Sequence, residues 1–348
     1  MTKHSLQTLA LNITEQEYRD LPYLSQSAIA KYEKGGFDAI KHLYDKQESE
    51  ALTFGSMVDC IITEGMPAFR QKFVVADTKE PTESMATMIQ AVMSECTAPI
   101  LQEIPDEVLL DICDRNELIK NIKDPVKKVA KIREGCTEYY NLKRLSQDKT
   151  IVSTQTYEEV LATVGALTSK EPSCKYFKRT GDDEVEFLYQ QKFVVTIDGL
   201  TIKMMTDLLI VNHKLKAIIP IDLKTTSVPE YNFQQKFLEN RYDIQSRLYW
   251  RGLNEVISHD DYFKDFKVLP FKFIVVNKNS LQPLVFEDER CDALVPIVLK
   301  FNSGYIKTLR NPIEIGKELQ EYLNTDPILP DNIDPNTPIH IYQRLLEK

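Results

Sequence analysis

The chain has 348 residues, of which 43% are hydrophobic and 27% are charged, and its formal net charge is −9. This composition is typical of a globular protein, and the length allows one large domain or two ordinary ones. No apolar run approaches the roughly 18 residues that a membrane-spanning helix needs, and no signal-peptide core follows the N-terminus. We therefore expect a cytoplasmic protein without a membrane partner.

The first part of the chain is predicted to be helical. Residues 12–50 read as a short helical lead-in, in which Ser25 or Ser27 is suited to be an N-cap. Residues 51–65 carry apolar side chains at helical spacing, which indicates one buried helix face. Several amphipathic patterns between residues 83 and 145 are interrupted near prolines, and we interpret the segment of about 83–150 as a helical insertion.

A β-sheet is predicted in the middle of the chain. Two β-rich runs, Phe187–Ile197 and Leu200–Val211, are joined by Asp198-Gly199, which is a strong hairpin signal. A strand, a helix and a further strand are then expected, at Ala217–Leu223, Glu230–Leu253 and Phe271–Val276. This order predicts an α/β (α+β) fold with a central mixed β-sheet, an antiparallel meander and flanking helices.

The domain organisation follows from these elements. We expect a single domain over residues 1–310, with the helical insertion inside it. Residues 311–348 are richer in Pro, Asn and Asp, and we interpret them as a C-terminal extension that is peripheral or contacts a partner.

The candidate site centres on Asp222 and Lys224, which lie two residues apart on a predicted strand and so share one face of the sheet. If Asp207 lies on the neighbouring strand, two carboxylates converge beside a fixed cation. Two oxygen ligands suit Mg²⁺ or Mn²⁺, and the lysine can orient a water or neutralise developing charge. Phosphodiester hydrolysis is the chemistry that most needs this set, whereas a strand-edge ion pair is the ordinary alternative.

Further candidates flank this strand. Gln245 and Tyr249 are four residues apart and therefore share one helix face. The DNA-binding candidates are hydroxyl and basic side chains, namely Thr225, Thr226, Arg241, Arg247, Lys127, Lys128 and Lys131. The three lysines belong to the segment 120–149, which has nine Lys or Arg against four Asp or Glu and could offer a basic surface within an acidic protein. Turn-forming hydroxyls and a solvated helix face explain these residues equally well.

The ordered set of Asp207, Asp222 with Lys224, and Gln245 with Tyr249 resembles the PD-(D/E)xK nuclease superfamily. The branch it is most similar to is phage-type and contains the RecE-type exonuclease (exonuclease VIII), lambda exonuclease and the RecB nuclease domain. The resemblance extends to Leu24-Ser25-Gln26-Ser27, Phe54-Gly55-Ser56-Met57-Val58-Asp59 and Glu186, and it covers most of residues 20–290. It implies a restriction-endonuclease-like core with an added helical layer.

The resemblance also implies roles for individual residues. The backbone carbonyl of Leu223 would complete the metal ligands, Lys224 would orient or help deprotonate the attacking water, and Gln245 would fix the lysine. Tyr249 would approach the DNA backbone. Glu186 stands where relatives often place another carboxylate, so it could bind a second metal or set the water shell of the first.

Asp59 is the main departure from the family pattern, because relatives commonly have a histidine at this position. A carboxylate can replace imidazole as a ligand of a hard cation, so Asp59 is a candidate metal ligand. It could equally alter metal preference or indicate weakened catalysis. The six scattered cysteines lack the C-terminal set that holds an iron–sulfur cluster in some relatives, so we expect no such cluster. The sequence contains no phosphate-binding Gly-rich loop, so we expect no nucleotide cofactor.

The expected function is therefore a metal-dependent deoxyribonuclease, most consistent with an exonuclease that degrades linear double-stranded DNA from its ends for recombination by two-metal hydrolysis. The resemblance implies 5′ to 3′ polarity, a homo-oligomer that could form a ring around DNA, and a single-strand annealing protein as partner. A single-strand or flap nuclease is one alternative. A catalytically silent DNA-binding or assembly subunit is another.

Overall fold

The computed structural model describes residues 4–45, 49–77, 81–146, 149–177 and 184–324. The α-helices are α1 (Glu15–Asp20), α2 (Gln26–Gly35), α3 (Glu50–Thr63), α4 (Met66–Lys72), α5 (Glu83–Glu95), α6 (Asp106–Arg115), α7 (Pro125–Leu145), α8 (Thr154–Ser169), α9 (Phe233–Asn240), α10 (Tyr242–Ser258) and α11 (Pro312–Asn324). The β-strands are β1 (Leu24–Ser25), β2 (Phe73–Val75), β3 (Thr150–Val152), β4 (Val185–Ile197), β5 (Leu200–Asn212), β6 (Ala217–Thr226), β7 (Lys267–Val268), β8 (Phe271–Asn277), β9 (Leu284–Asp288), β10 (Ile297–Lys300) and β11 (Ile306–Leu309).

A seven-stranded mixed sheet forms the centre of the fold. Its main strand order is β1-β5-β6-β8-β9, with β4 paired to β5 and β7 paired to β6. Strands β4, β5 and β6 are antiparallel to their neighbours in that meander, whereas β6 and β8 run parallel. The predicted mixed sheet, its meander and its flanking helices are confirmed.

Each face of the sheet is covered by helices because each carries its own set of apolar side chains. One face packs against α2, α10 and α11, with Ile29, Leu248 and Leu319 in its core. The other face packs against α3 and α8, with Met57 and Val160 in its core. Helices α3 and α10 therefore approach the same strands from opposite sides.

The amphipathic patterns between residues 83 and 145 correspond to α5, α6 and α7 in the structure. They bury a separate hydrophobic cluster that includes Met88, Ile112 and Tyr140. The chain enters and leaves this helical group through β2 and β3, which pair with each other in parallel. None of the described helices combines the length and the apolar character that a bilayer crossing requires.

The helix predicted over Glu230–Leu253 is divided in the structure. A short 3-10 helix spans Glu230–Asn232, and α9 and α10 meet at Arg241, whose backbone is left-handed at φ 57°. Arg241 tolerates this conformation because its guanidinium is held by Asp243 and Glu33, both at 2.8 Å. The break sets the direction of α10, which carries two candidate site residues.

The C-terminal extension is described only in part. Its beginning forms α11, which packs against α2 and α10. The rest of the extension, residues 325–348, lies outside the described residues. The six cysteines all lie in the described part of the chain, and none of them forms a disulfide bond.

Candidate active site

A cleft opens where β5 and β6 separate. Their pairing ends at Leu208 and Ile221, whereas β6 continues along β8 as far as Thr226. Nearer the start of β5, the short strand β1 pairs with the same edge of β5, at Ile202 and Lys203. Residues 204–207 of β5 therefore lie in a gap between two partner strands, where β5 and β6 do not pair with each other.

Asp207 lies at the point where the two strands part. Its Oδ2 accepts a hydrogen bond from the backbone N–H of Leu223 at 2.8 Å, which replaces the next bond of the β-ladder. Burial, followed by the charges of Asp222 and Asp59, raises the pKa of Asp207 well above its usual range. Since N–H and C=O of one strand residue point to the same side, the Leu223 carbonyl is directed toward the same cleft.

Asp222 and Lys224 face this cleft from β6, as their spacing predicts. Asp222 is only 3% exposed, and its Oδ1 accepts a hydrogen bond from Gln245 Nε2 at 2.5 Å. Its Oδ2 lies 2.7 Å from Lys224 Nζ, which is an ion-pair distance without hydrogen-bond geometry. Gln245 also accepts from Lys224 Nζ at 3.3 Å, so the three side chains form one connected group.

The charge of Lys224 is stabilised by its surroundings. Burial alone would lower the pKa of Lys224, but the charge of Asp222, followed by Tyr242 and Asp207, outweighs burial and raises it. The ammonium also lies 4.7 Å from the centre of the Tyr242 ring. Lys224 is therefore a fixed cation in the cleft and not a neutral base.

Asp59 reaches the cleft from α3, on the other side of the sheet. The helix passes close to β6, because a Cβ added at Gly55 would lie 3.2 Å from Thr225 Oγ1. Asp59 Oδ2 accepts a hydrogen bond from Gln190 Nε2 at 2.8 Å, while its buried Oδ1 has no hydrogen-bond partner among the described atoms. Burial, and then the charge of Asp222, raises the pKa of Asp59 to about 7.

Gln190 is a site residue that the sequence analysis missed. It lies inside β4 with a left-handed backbone at φ 51°, which is unfavourable for a residue with a Cβ. The side-chain alternation of β5 is also interrupted opposite Gln190. Met204 and Leu209 are five residues apart and would lie on opposite faces of a regular strand, but both face the α10 side of the sheet. The polar pair Gln190-Gln191 within an apolar strand was the signal that could have identified this irregularity.

Asp207, Asp222 and Asp59 carry carboxylate oxygens of the kind that bind hard divalent cations. As placed, no three His, Cys, Asp or Glu side chains of the described residues are grouped closely enough to form a ready-made metal site. However, Asp59 Oδ1 is a buried oxygen without a hydrogen-bond partner among the described atoms, and Asp222 Oδ2 is paired with the Lys224 ammonium alone. Mg²⁺ requires only one or two carboxylates, together with waters and substrate phosphates, so the donor chemistry fits Mg²⁺ or Mn²⁺.

Tyr249 occupies a different position from the one that the family resemblance implies. Its side chain is only 5% exposed, and its hydroxyl accepts from the backbone N–H of Met205 at a long 3.5 Å. Burial raises the pKa of Tyr249 well above its usual range. Tyr249 therefore contacts the open edge of β5 from within the core, and the expectation that it approaches DNA directly is not met in this structure.

Glu186 is not brought into the cleft. It lies opposite Val211 on β5, four residues from Asp207, which corresponds to roughly 13 Å along the strand. One carboxylate oxygen is bonded to His213 Nε2, and the other accepts from Ser5 Oγ at 2.5 Å. The structure therefore does not bring Glu186 together with Asp207 and Asp222, because sequence order could not tell which end of β4 would face the site.

Arg241 and Arg247 were expected to contact DNA, but both are buried. Arg247 is 1% exposed and donates to the backbone carbonyls of Ala293, Val295 and Arg310. It thereby ties the start of the β10–β11 hairpin and its end to α10. Arg241 is held between two carboxylates, as described above. In this structure both guanidinium groups are therefore occupied by partners within the protein.

The remaining DNA-binding candidates differ in their surroundings. Thr226 forms a turn with Val228 through its hydroxyl, which is the ordinary structural role. Thr225 lies beside Gly55 at the cleft. Lys127, Lys128 and Lys131 lie on α7 in the helical insertion; Lys128 pairs with Asp114 and Lys131 with Glu134.

Comparisons with known proteins add little to this geometry. No protein-family model matches the chain, and no curated protein has a significantly similar sequence. A crystal structure from Eubacterium rectale, provisionally described as an exonuclease, is similar over 96% of this chain and 98% of its own, with 12% identity and a TM-score of 0.41. At that level the similarity supports no argument about function, which must come from the site itself.

Proposed function

We propose that the protein is a metal-dependent deoxyribonuclease that hydrolyses phosphodiester bonds in the cleft between β5 and β6. The single observation that carries this proposal is the connected group of Asp222, Lys224 and Gln245, with Asp207 and Asp59 close enough to influence one another's protonation. Carboxylates beside a buried cation, at an open sheet edge, suit a phosphate substrate better than they suit a structural ion pair.

The candidate ligands of a divalent cation are the carboxylate oxygens of Asp207, Asp222 and Asp59 and the backbone carbonyl of Leu223. Because no three acidic side chains of the described residues are grouped closely enough as placed, the cation would take one or two of these carboxylates and complete its ligands with water and substrate phosphate. Such a cation would lower the pKa of a bound water and offset the negative charge of the phosphate. It would also offset the charge of Asp222, which after burial is the next cause that raises the pKa of both Asp59 and Asp207. Metal binding would therefore explain why the folded protein keeps several carboxylates near one another.

The other side chains have distinct tasks. Lys224 supplies a fixed positive charge where the attacking water or the developing negative charge would lie. Gln245 holds both Asp222 and Lys224, so it fixes their relative positions. Gln190 donates to Asp59 and leaves its other oxygen available.

We extend the proposal to an exonuclease that acts 5′ to 3′ on linear duplex DNA, as a homo-oligomer and with an annealing protein as partner. These details come from the family resemblance of the ordered motif. A second candidate is a silent DNA-binding or assembly subunit, since Asp59 stands in place of the family histidine. The connection of Asp222 to both Lys224 and Gln245 favours the active enzyme.

The test is digestion of DNA substrates with Mg²⁺ or Mn²⁺. End-labelled linear duplex, closed-circular duplex and single-stranded DNA are compared, with the Lys224→Met variant and the Lys264→Met variant of an exposed lysine as a matched control. We expect loss of linear duplex only, abolished by Lys224→Met and retained in Lys264→Met. Binding of DNA without cleavage of any substrate would favour the silent subunit.

A further inference from the structure

The β10–β11 hairpin and the residues just before it carry the densest group of exposed apolar side chains in the described part of the chain. Within residues 294–306, six large apolar side chains are 40–65% exposed, namely Leu294, Val295, Val298, Phe301, Tyr305 and Ile306. These six residues are called the hairpin patch below. No other stretch of this length among the described residues has more than two such side chains, and singly exposed apolar residues are ordinary.

Strand pairing brings members of the hairpin patch together. Val298 and Ile306 lie diagonally across the two strands, and both are on the outer face of the hairpin. At the tip, the rings of Phe301 and Tyr305 lie 5.6 Å apart, and the Phe301 N–H donates to the Tyr305 carbonyl at 2.9 Å. The apolar surface therefore extends from the strands to the tip.

The hairpin is fixed at its base. Arg247 of α10 donates to backbone carbonyls on both sides of the hairpin, those of Ala293, Val295 and Arg310. Ile297 and Leu309, on the inner face, are buried. A surface that is already fixed loses little conformational entropy when it associates, so the hairpin patch is suited to a protein contact.

The charge of the hairpin indicates what kind of surface it can bind. Residues 293–306 contain one charged side chain, that of Lys300. One cation is too few for a DNA contact, and it offers no complement to a strongly charged protein surface. The best complement is another uncharged, apolar surface. Among the described residues the hairpin patch is itself the largest surface of this kind, and a two-fold axis brings two identical patches together.

The area of the hairpin patch suits the centre of a dimer interface. At the observed exposures, six side chains of this size present on the order of 500 Å² of apolar surface. Stable interfaces bury about 800 Å² on each partner, with an apolar centre and a polar rim. Asn302, Ser303 and Thr308 are exposed polar residues of the same hairpin and can supply such a rim.

We propose that the hairpin patch is a two-fold contact between two copies of this chain. Val298 and Ile306 of one copy pack against the same residues of the second copy, and Lys300 lies at the rim. This contact rests on the hairpin surface and not on the proposed nuclease activity, so either proposal can fail without the other.

Sedimentation velocity of the full chain tests this proposal with a matched pair of glutamate variants. Val298 belongs to the hairpin patch, whereas Leu215 is an exposed apolar residue in the turn between β5 and β6. Val298→Glu should weaken dimerisation about 100-fold or more, because the two-fold axis brings two carboxylates together in an apolar contact. Leu215→Glu should stay within about twofold of the unmodified chain, because a change outside the interface affects binding little.

Two outcomes of this experiment would overturn the proposal. One is an unmodified chain that remains a monomer at concentrations up to about 100 µM, which is far weaker than a specific interface of standard size. The other is equal dimerisation of Val298→Glu and Leu215→Glu. Both positions are exposed, and circular dichroism checks that both variants are folded.

Hydrogen exchange of the unmodified chain provides a measurement that needs no variant. Over the concentrations at which the dimer forms, protection of residues 294–306 should rise, whereas protection of residues 213–216 should not. The dimer should also persist at about 1 M NaCl, because salt screens charges and not apolar contacts. Unchanged protection of the hairpin on dimerisation, or dissociation of the dimer by salt, would contradict the proposed contact.

Discussion

Gln245 and Asp222 are joined by a hydrogen bond of 2.5 Å that links the N-terminal part of α10 to the central strand β6. The same amide accepts from Lys224 Nζ at 3.3 Å. Because Asp222 is buried, the amide also satisfies a carboxylate oxygen that would otherwise lack a partner. The orientation of Asp222 and Lys224 is therefore determined by a helix that packs on the sheet.

Replacing this amide should reduce activity more than stability. Gln245→Met keeps the side-chain length but removes the contacts with both Asp222 and Lys224. We expect DNA cleavage to fall about 10- to 100-fold, as is usual when a residue that orients a metal ligand is lost. Steady-state digestion rates measure this effect. Gln235→Met on the exposed side of α9 is the control and should cleave normally.

The stability of the metal-free protein should depend on Asp59 and on pH. The pKa of Asp59 rises from 3.8 to about 7 on folding, so its carboxyl is protonated in the folded state between these values. The folded state therefore loses stability as pH rises through this window and bears the full penalty above it. Asp59→Asn should raise the free energy of unfolding at pH 8 by on the order of 2 kcal/mol, with little effect near pH 4.

Urea denaturation in EDTA at the two pH values measures this difference. The fully exposed Asp261 provides the control, because Asp261→Asn should have the same small effect at both pH values. A gain for Asp59→Asn that is equal at pH 4 and pH 8 would show that the carboxylate is not strained by burial. Addition of Mg²⁺ should stabilise the unmodified protein more than it stabilises Asp59→Asn.

The free-energy cost of the left-handed backbone at Gln190 should also be measurable. Glycine adopts this conformation freely, whereas alanine retains the Cβ that makes it unfavourable. Gln190→Gly and Gln190→Ala both remove the hydrogen bond to Asp59, so their difference isolates the backbone. We expect Gln190→Gly to be more stable than Gln190→Ala by about 1 kcal/mol in urea denaturation. An alanine variant that is as stable as the glycine variant would argue against strain at this position.

Arg247 should be needed for folding and not for DNA binding. Arg247→Met leaves three partly buried carbonyls without their charged donor, and we expect a loss of about 3 kcal/mol in the free energy of unfolding. Arg251, one turn later on α10, makes a single ion pair with Asp198, so Arg251→Met should cost less than about 1 kcal/mol. Thermal denaturation of the two variants compares them directly. Similar losses would mean that the carbonyl contacts of Arg247 contribute little.

The sequence predicted the elements that local patterns determine. Asp198-Gly199 marked the β4–β5 hairpin, and the alternation around Asp222 placed this aspartate and Lys224 on one face of the sheet. The spacing of four residues between Gln245 and Tyr249 correctly put both on the inner face of one helix. Short-range periodicity is sufficient for such statements because it depends only on backbone geometry.

The sequence could not predict features that arise from long-range pairing. The separation of β5 from β6 depends on β1, which is far away in sequence and takes over the edge of β5. The pairing of β4 with β5 places Glu186 opposite a residue four positions from Asp207. It is Gln190 of β4, and not Glu186, that reaches the candidate site, where it contacts Asp59. Arg247 looked like a surface cation, because nothing local indicates that a later hairpin covers it.

The most direct test of the central claim is cleavage by Asp222→Asn, which keeps the shape of the side chain and its contact with Gln245 but removes the charge. The account predicts that Asp222→Asn still folds, with an unfolding temperature lowered by the loss of the ion pair with Lys224, and that it does not digest end-labelled linear duplex DNA with Mg²⁺. A folded Asp222→Asn protein that digests this DNA at the unmodified rate would contradict the claim that the cleft between β5 and β6 is the active site.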